Sequence, residues 1–329
     1  MKKKFDEESI IKGIDKFQSV IIEPYKQGNN PDDYIKYFRE IYSNCIPDGI
    51  LGYIMFFFKN NNFPFYRIRA FTEIKDRYNI QEYSYPPAGL CKDFNRANLP
   101  GHPVFYASLN AGTAIAEFQK KYPSVKKIAL SKWVKRNEID TLNILPVYPD
   151  NKDFRDVLMA SLDSGNFPNK NIKMAFFRLM AYIGNSIMSE KDYSISACFS
   201  NEYFTKVNDL DIIAYPSIID MKGTNFAVSP STIDNKLILD RTYIINLRLD
   251  TSITLEAIGV LHKSKIYWKQ KGEINTDSDF YKTFITDISD ALTHKNNLSG
   301  TNKNTDLCTS LLTRNDLFSE FIFKRYFFN

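Results

Sequence analysis

The spacing of apolar residues changes between residues 44 and 63, and that change restricts the chain to a mixed fold. Within residues 5–44, FDEESIIKGIDKFQSVI and DDYIKYFREIYSN repeat apolar side chains every three or four positions, the period of an amphipathic helix, with Pro31 opening the second segment. FPFYRIRAF (63–71) is instead aromatic and β-branched, and predicts a strand. A chain that uses both periods must build sheet and helix around a shared core.

Downstream the two periods interleave. The stretch 83–102, with Pro86, Pro87, Gly89, Pro100 and Gly101, reads as loop. PVFYASL is a second strand, AGTAIAEFQKKY a short helix and KKIALSKWV a third strand. DFRDVLMASL, NIKMAFFRLMAYIGNSIMS and YSISACFSNEYFTKV read as helices. DLDIIAYPSII (209–219) is a strand that stops at Pro216-Ser217, and KLILDRTYIINLRLD with ITLEAIGVLHKSKIYWK alternates like a β-hairpin. DFYKTFITDISDALTHK is a last helix, HKNNLSGTNKNTD a polar loop, and the aromatic tail DLFSEFIFKRYFFN is expected to dock on the body of the protein. The expected fold class is α+β, with a core at 61–240, a helical extension at 1–60 and a strand-rich C-terminal extension at 241–329 packing on the core. The alternation of strand and helix is too irregular for a doubly wound sheet.

Bulk properties exclude several function classes. The 43 basic and 38 acidic residues leave a net charge of only +5, spread along the chain, which argues against direct nucleic-acid binding. Cys45, Cys91, Cys198 and Cys308 form no C-x-x-C pair, so neither a zinc site nor a disulfide framework is expected, and a reducing compartment is. The N-terminus carries no apolar signal region, and the most apolar run, GILGYIMFFF (49–58), has about half the length of a bilayer span. A cytoplasmic protein without membrane contact is the expectation. His102, His262 and His294 are scattered and form no metal pattern, so no metal is expected. No G-x-G-x-x-G follows a strand, and no P-loop lysine or G-x-S-x-G elbow occurs.

A few polar residues fall where apolar ones are the rule. Alternation puts Arg67 and Arg69 of FYRIRAF on one strand face, where a guanidinium needs an anionic partner; a structural salt bridge and a bound anion are the two readings. Arg96 lies in a loop ahead of Asn98 and Pro100-Gly101, and arginine suits bidentate phosphate recognition. Ser217 ends a hydrophobic strand, where a hydroxyl caps a turn or meets a substrate. Glu117 stands on the TAIAEFQKKY helix, with Lys121 at i+4 as its ordinary partner.

The order of these pieces is more specific than any one of them. An aromatic-Arg strand (Tyr66-Arg67), an R-x-N-x-x-G loop (Arg96 to Gly101), a V-x-Y strand (Val104 to Tyr106), a T-A-x-x-E helix (Thr113 to Glu117) and a Y-P-S strand end (Tyr215 to Ser217) follow one another as in the RES domain, which this chain resembles from near Phe65 to near Leu237. The resemblance implies an ADP-ribosyltransferase-like split β-sheet core clasping NAD, with flanking helices. It implies a toxin or abortive defence effector that destroys NAD by hydrolysis or phosphorolysis, held in check by a cognate helix-turn-helix antitoxin, with NAD as substrate, no resident cofactor, and inorganic phosphate as a potential acceptor. It carries over Glu117, Arg67 and Ser217 as catalytic residues, and Arg96, Tyr106 and Tyr66 as substrate-binding residues. In that role the carboxylate of Glu117 stabilises an oxocarbenium-like ribose, and the guanidinium groups of Arg67 and Arg96 meet the pyrophosphate. Two other functions compete: a mono-ADP-ribosyltransferase acting on a macromolecule, and a nucleotide-binding module without catalysis.

Overall fold

The computed structural model describes residues 7–46, 56–59, 63–148, 170–189, 192–206, 210–219, 223–247, 253–275 and 277–297. The two expected N-terminal helices form as α1 (Glu7–Ser19) and α2 (Pro31–Cys45). In α1 the residues Ile10, Ile14 and Phe17, spaced by four and three, are all buried. The α2 start is fixed chemically: the Asn30 side chain accepts from the Asp32 amide at 3.0 Å, Pro31 preorganises the first turn, and Asp32 and Asp33 face the positive end of the helix dipole. Ile35, Phe38, Tyr42 and Cys45 form its buried stripe.

Ten strands build one sheet in the order β1-β5-β6-β7-β3-β2-β4-β8-β9-β10. They are β1 (Phe56–Lys59), β2 (Phe65–Ala70), β3 (Phe105–Ser108), β4 (Lys127–Lys135), β5 (Thr141–Pro146), β6 (Ile212–Pro216), β7 (Thr224–Val228), β8 (Leu237–Leu247), β9 (Ile253–His262) and β10 (Lys265–Gln270). Only β5 and β6 pair in parallel. The helices α3 (Ala111–Lys121), α4 (Lys170–Met188), α5 (Ser194–Lys206), α6 (Pro230–Lys236) and α7 (Asp279–Asn297) complete the described elements. The fold is α+β. Within this one sheet β3 and β2 are joined by the single register pair Tyr66↔Ser108.

Three apolar clusters hold this arrangement. One takes alternate side chains from β2 through β10, among them Phe65, Phe105, Trp133, Leu142, Phe226 and Ile266, so the sheet curves around it. A second lies on the opposite face of β5, β6, β7 and β3 and is covered by α1, α2, α4 and α5; there Phe17 meets Tyr42 edge-on at 5.5 Å and Tyr182 at 5.6 Å. The third lies on the opposite face of β2, β4, β8 and β9, beneath α3 and α7. No described helix is long and apolar enough to cross a membrane.

Some elements depart from the expectation. ITLEAIGVLHKSKIYWK is two strands, not one: Lys263 and Ser264 take positive φ (46° and 64°) and close a two-residue hairpin of the I′ kind without the usual Asn-Gly signal. The segments TLNILP and TNFAV are strands β5 and β7, buried on both faces and therefore without alternation to reveal them. The expected boundary at 240/241 falls inside β8, and β9 and β10 continue the same sheet. Residues 294–297 of the expected polar loop belong to α7. The DFRDVLMASL helix, the rest of that polar loop and the aromatic tail lie outside the described residues.

α3 comes close to the chain entering β7 at Gly223: a methyl group there would lie 2.3 Å from Thr113 Oγ1 and 2.5 Å from its Cγ2. Gly223→Ala is expected to lower unfolding stability by about 1–3 kcal/mol, the usual scale of overpacking. Urea unfolding checks this, and adding Thr113→Ala is expected to restore part of the loss.

Candidate functional site

The start of α3 explains how a carboxylate reaches the sheet. Asn110 caps the helix by accepting from the Thr113 amide at 2.7 Å, and Ala111, Gly112, Thr113, Ala114 and Ile115 are all buried. Their small size lets α3 lie close to the strands, so Glu117, one turn on, meets the ends of β6 and β7 directly. Its Oε1 accepts from Ser217 Oγ at 2.6 Å and from Asn225 Nδ2 at 2.9 Å. Among the described residues no donor reaches Oε2.

Each of these two donors is itself held. Ser217, 0% exposed, follows β6; its amide donates to the Gly223 carbonyl at 2.8 Å, and its Oγ accepts from the Ile219 amide at 3.2 Å. Asn225, 7% exposed, presents its Oδ1 to Ser108 Oγ at 2.7 Å. The polar chain Ser108–Asn225–Glu117–Ser217 thus crosses β3, β7, α3 and the end of β6. Two charge-assisted hydrogen bonds on one oxygen fix the orientation of the carboxylate and leave the other oxygen for a ligand. The alternative partner, Lys121, lies over the Tyr122 ring at 5.4 Å.

Arg67 and Arg69 share a strand face, as alternation predicts, but meet different fates. Arg69 donates to Glu82 Oε2 at 3.0 Å and to the Glu82 carbonyl at 2.7 Å, a structural ion pair. Arg67 has no carboxylate partner among the described residues. Its Nη1 donates to the Tyr106 carbonyl at 3.0 Å, its guanidinium lies 5.3 Å from the Phe105 ring centroid, and its buried Nε has no acceptor. Burial first, then the neighbouring positive charge of Arg69, lowers its pKa to about 10. A desolvated, still protonated guanidinium with an unused N–H is suited to an anion. Tyr106 and Ser108 are two residues apart on β3, so Arg67 and the Glu117 chain engage the same strand within about 7 Å of backbone.

The remaining candidates fall into two groups. The Tyr106 hydroxyl donates to Asn98 Oδ1 at 3.0 Å and accepts from the Ala97 amide at 2.9 Å, tying β3 to the Arg96 loop. Arg96 donates to the Ile187 carbonyl at the end of α4, and its guanidinium lies 4.9 Å from the Tyr193 ring centroid. The buried Tyr215 hydroxyl is pushed well above its ordinary pKa, first by burial and then by Tyr106. Tyr66 stands apart from Arg67 and not from Glu117: it projects to the opposite face of β2, where its register partner is Ser108 and where α3 packs, and it donates to Asp287 at 2.9 Å.

Sequence reading alone did not single out Asn225, Ser108, Tyr193 or the side chain of Tyr215. For Asn225 a signal exists: an amide within TNFAV, a strand buried throughout, is costly unless it has partners. Asn225→Leu, which strands the Ser108 hydroxyl and removes a donor from Glu117, is expected to cost about 1–3 kcal/mol in urea unfolding. In a double-mutant cycle with Ser108→Ala the losses are expected to be non-additive, as for two members of one network.

A family model described as the RES domain matches residues 64–247, just over half the chain. A search of curated protein sequences returns no match. Among solved structures, the chain is similar to one in the crystal structure of the M.tuberculosis MbcT-MbcA toxin-antitoxin complex, with a TM-score of 0.37 and 12% identity over 58% of this chain and 87% of that one.

Proposed function

Because the chain belongs to the RES domain family, we propose that it is an NAD-consuming enzyme that cleaves the bond between nicotinamide and ribose and acts as a toxin or abortive defence effector. The observation that carries this reading is the Glu117 carboxylate, oriented through Oε1 by Ser217 and Asn225, with no donor on Oε2 among the described residues. As the C–N bond breaks, its electron pair leaves with nicotinamide and positive charge develops on the ribose. A preoriented carboxylate stabilises that charge without the reorganisation that water requires. Oε2 also suits a ribose hydroxyl or the incoming nucleophile, from which it takes a proton if that nucleophile is water. Water yields ADP-ribose; inorganic phosphate yields its 1-phosphate.

Arg67 supplies the anion-binding charge for the pyrophosphate, with its unpartnered Nε as the donor. In this reading Arg96 and Tyr106 also bind the substrate, with Arg96 held by the end of α4 and stacked on Tyr193. Tyr66, whose hydroxyl is committed to Asp287, acts on the substrate only through its neighbour Arg67. NAD is thus substrate and not resident cofactor, the compartment is the cytoplasm, and the partner class is a helix-turn-helix antitoxin.

Incubation with NAD alone tests the proposal. Free nicotinamide without any macromolecule is the expected product, and its dependence on added phosphate separates phosphorolysis from hydrolysis. Turnover only with a protein or nucleic-acid target would mean a mono-ADP-ribosyltransferase; binding without cleavage would mean a nucleotide-binding module. Glu117→Gln is expected to reduce kcat by about two orders of magnitude or more, the scale of losing a preorganised charge stabiliser. Wild-type turnover in that variant would remove Glu117 from the reaction. Expression in cells is expected to lower NAD and arrest growth.

The pH dependence follows from Arg67. Its pKa is depressed to about 10, so the charged form that binds phosphate is present below that value and lost above it. Values of kcat/KM, which report the free enzyme, are expected to fall as pH rises through about 10. Arg67→Gln is expected to abolish that fall and to raise KM at neutral pH.

A further inference from the structure

The family match ends at Leu247, yet α7, some thirty residues beyond it, sends a buried carboxylate into the back of the matched sheet. Asp287 is 8% exposed. Its Oδ1 accepts from Tyr66 at 2.9 Å and from Lys132 Nζ at 2.7 Å, and its Oδ2 accepts from Tyr243 at 2.5 Å. Tyr66, Lys132 and Tyr243 stand on β2, β4 and β8, three strands adjacent in the sheet. One carboxylate therefore joins three strands from behind. Arg241 adds positive charge nearby, itself paired with Asp240 at 2.8 Å.

The same helix packs on α3. Phe284 and Ile288 of α7 share a buried cluster with Ala111, Ala114 and Ile115 of α3, and Phe284 meets the Tyr243 ring at 5.2 Å. The two elements that α7 holds, β2 and α3, are those that carry Arg67 and Glu117. Tyr66 precedes Arg67 on β2, so fixing its hydroxyl behind the strand fixes the register in which the guanidinium is presented in front. An ion pair so enclosed is a poor source of net stability and a strong determinant of geometry, because Lys132, Tyr66 and Tyr243 all lose a buried partner if the carboxylate moves.

We propose that Asp287 is a positioning residue: from outside the family match it holds α3 and β2, and through them Glu117 and Arg67, in their working orientation. The catalytic half of this proposal rests on the NAD-cleaving reading above; the structural half does not.

The test uses the full chain, well below the melting temperature of each variant. Asp287→Ala is expected to lower kcat for nicotinamide release by about tenfold or more, as misplacement of a catalytic group by a fraction of an ångström does. The control Ile14→Ala, in the distant core beneath α1, is expected to lose comparable Tm while keeping kcat. Hydrogen exchange is expected to speed up in 111–121 and 65–70 of Asp287→Ala and to stay unchanged in 170–188. If Asp287→Ala does not fold, Tyr243→Phe, which removes one donor, is expected to move both readouts in the same direction. Wild-type kcat in a folded Asp287→Ala, or an equal loss of kcat in Ile14→Ala, would overturn the catalytic half. Unchanged exchange in both α3 and β2 would overturn the whole proposal. A wild-type chain that releases no nicotinamide defeats the NAD-cleaving reading alone, and the exchange measurement then still decides whether α7 braces α3 and β2.

Discussion

Everything in the candidate site depends on one oxygen atom that accepts twice. Glu117 Oε1 takes hydrogen bonds from Ser217 and Asn225, residues 100 and 108 positions away in the chain. That pair of bonds brings a helix, the end of one strand and the start of another to a common point. Both donors are buried, so water is a poor substitute for either, and the two bonds leave the carboxylate little freedom to turn. Ser108 extends the constraint to β3, whose Tyr106 carbonyl in turn receives Arg67.

The sheet is wide relative to the segment matched by the family, and its two outer faces show why more chain is needed. The face of β5, β6, β7 and β3 is apolar and is closed by α1 and α2 together with α4 and α5. The face of β2, β4, β8 and β9 is closed by α3 and α7. A sheet apolar on both sides must be covered on both sides. The N-terminal helices and the C-terminal strands and helix are thus parts of one core, not appendages. Arg39 of α2 makes the same point in polar terms, pairing at 2.6 Å with Glu202 of α5, a carboxylate otherwise enclosed.

How far the site was legible depended on whether a residue acts locally or at a distance. The cap at Asn110, the small residues behind Glu117 and the strand end at Ser217 are local features, readable from neighbours in the chain. The distinction between Arg67 and Arg69 was not, since both sit on the same strand face and differ only in what the rest of the chain brings to them: Glu82 for one, no carboxylate among the described residues for the other. Tyr66 is the reverse case. Its place beside Arg67 in the chain suggested a shared pocket, whereas the two-residue period of a strand sends it to the other face, where Asp287 waits. Strands β5 and β7 escaped notice because burial on both faces erases alternation, and the β9–β10 turn because Lys-Ser takes a backbone shape usually left to Asn-Gly.

By itself the sequence determined the mixture of helix and strand, the absence of a long apolar span among its segments, and the ordered set of motifs that marks the family, because periodicity, caps and short motifs are encoded within a few residues of one another. Only the tertiary structure decided which arginine keeps a free N–H, which hydroxyl and amide meet Glu117, and that a carboxylate at 287 stands behind the strand bearing Arg67. Those are contacts between residues 13 to 221 positions apart, or choices between the two faces of a strand. Both are settled by how apolar surfaces close on each other, not by any local preference.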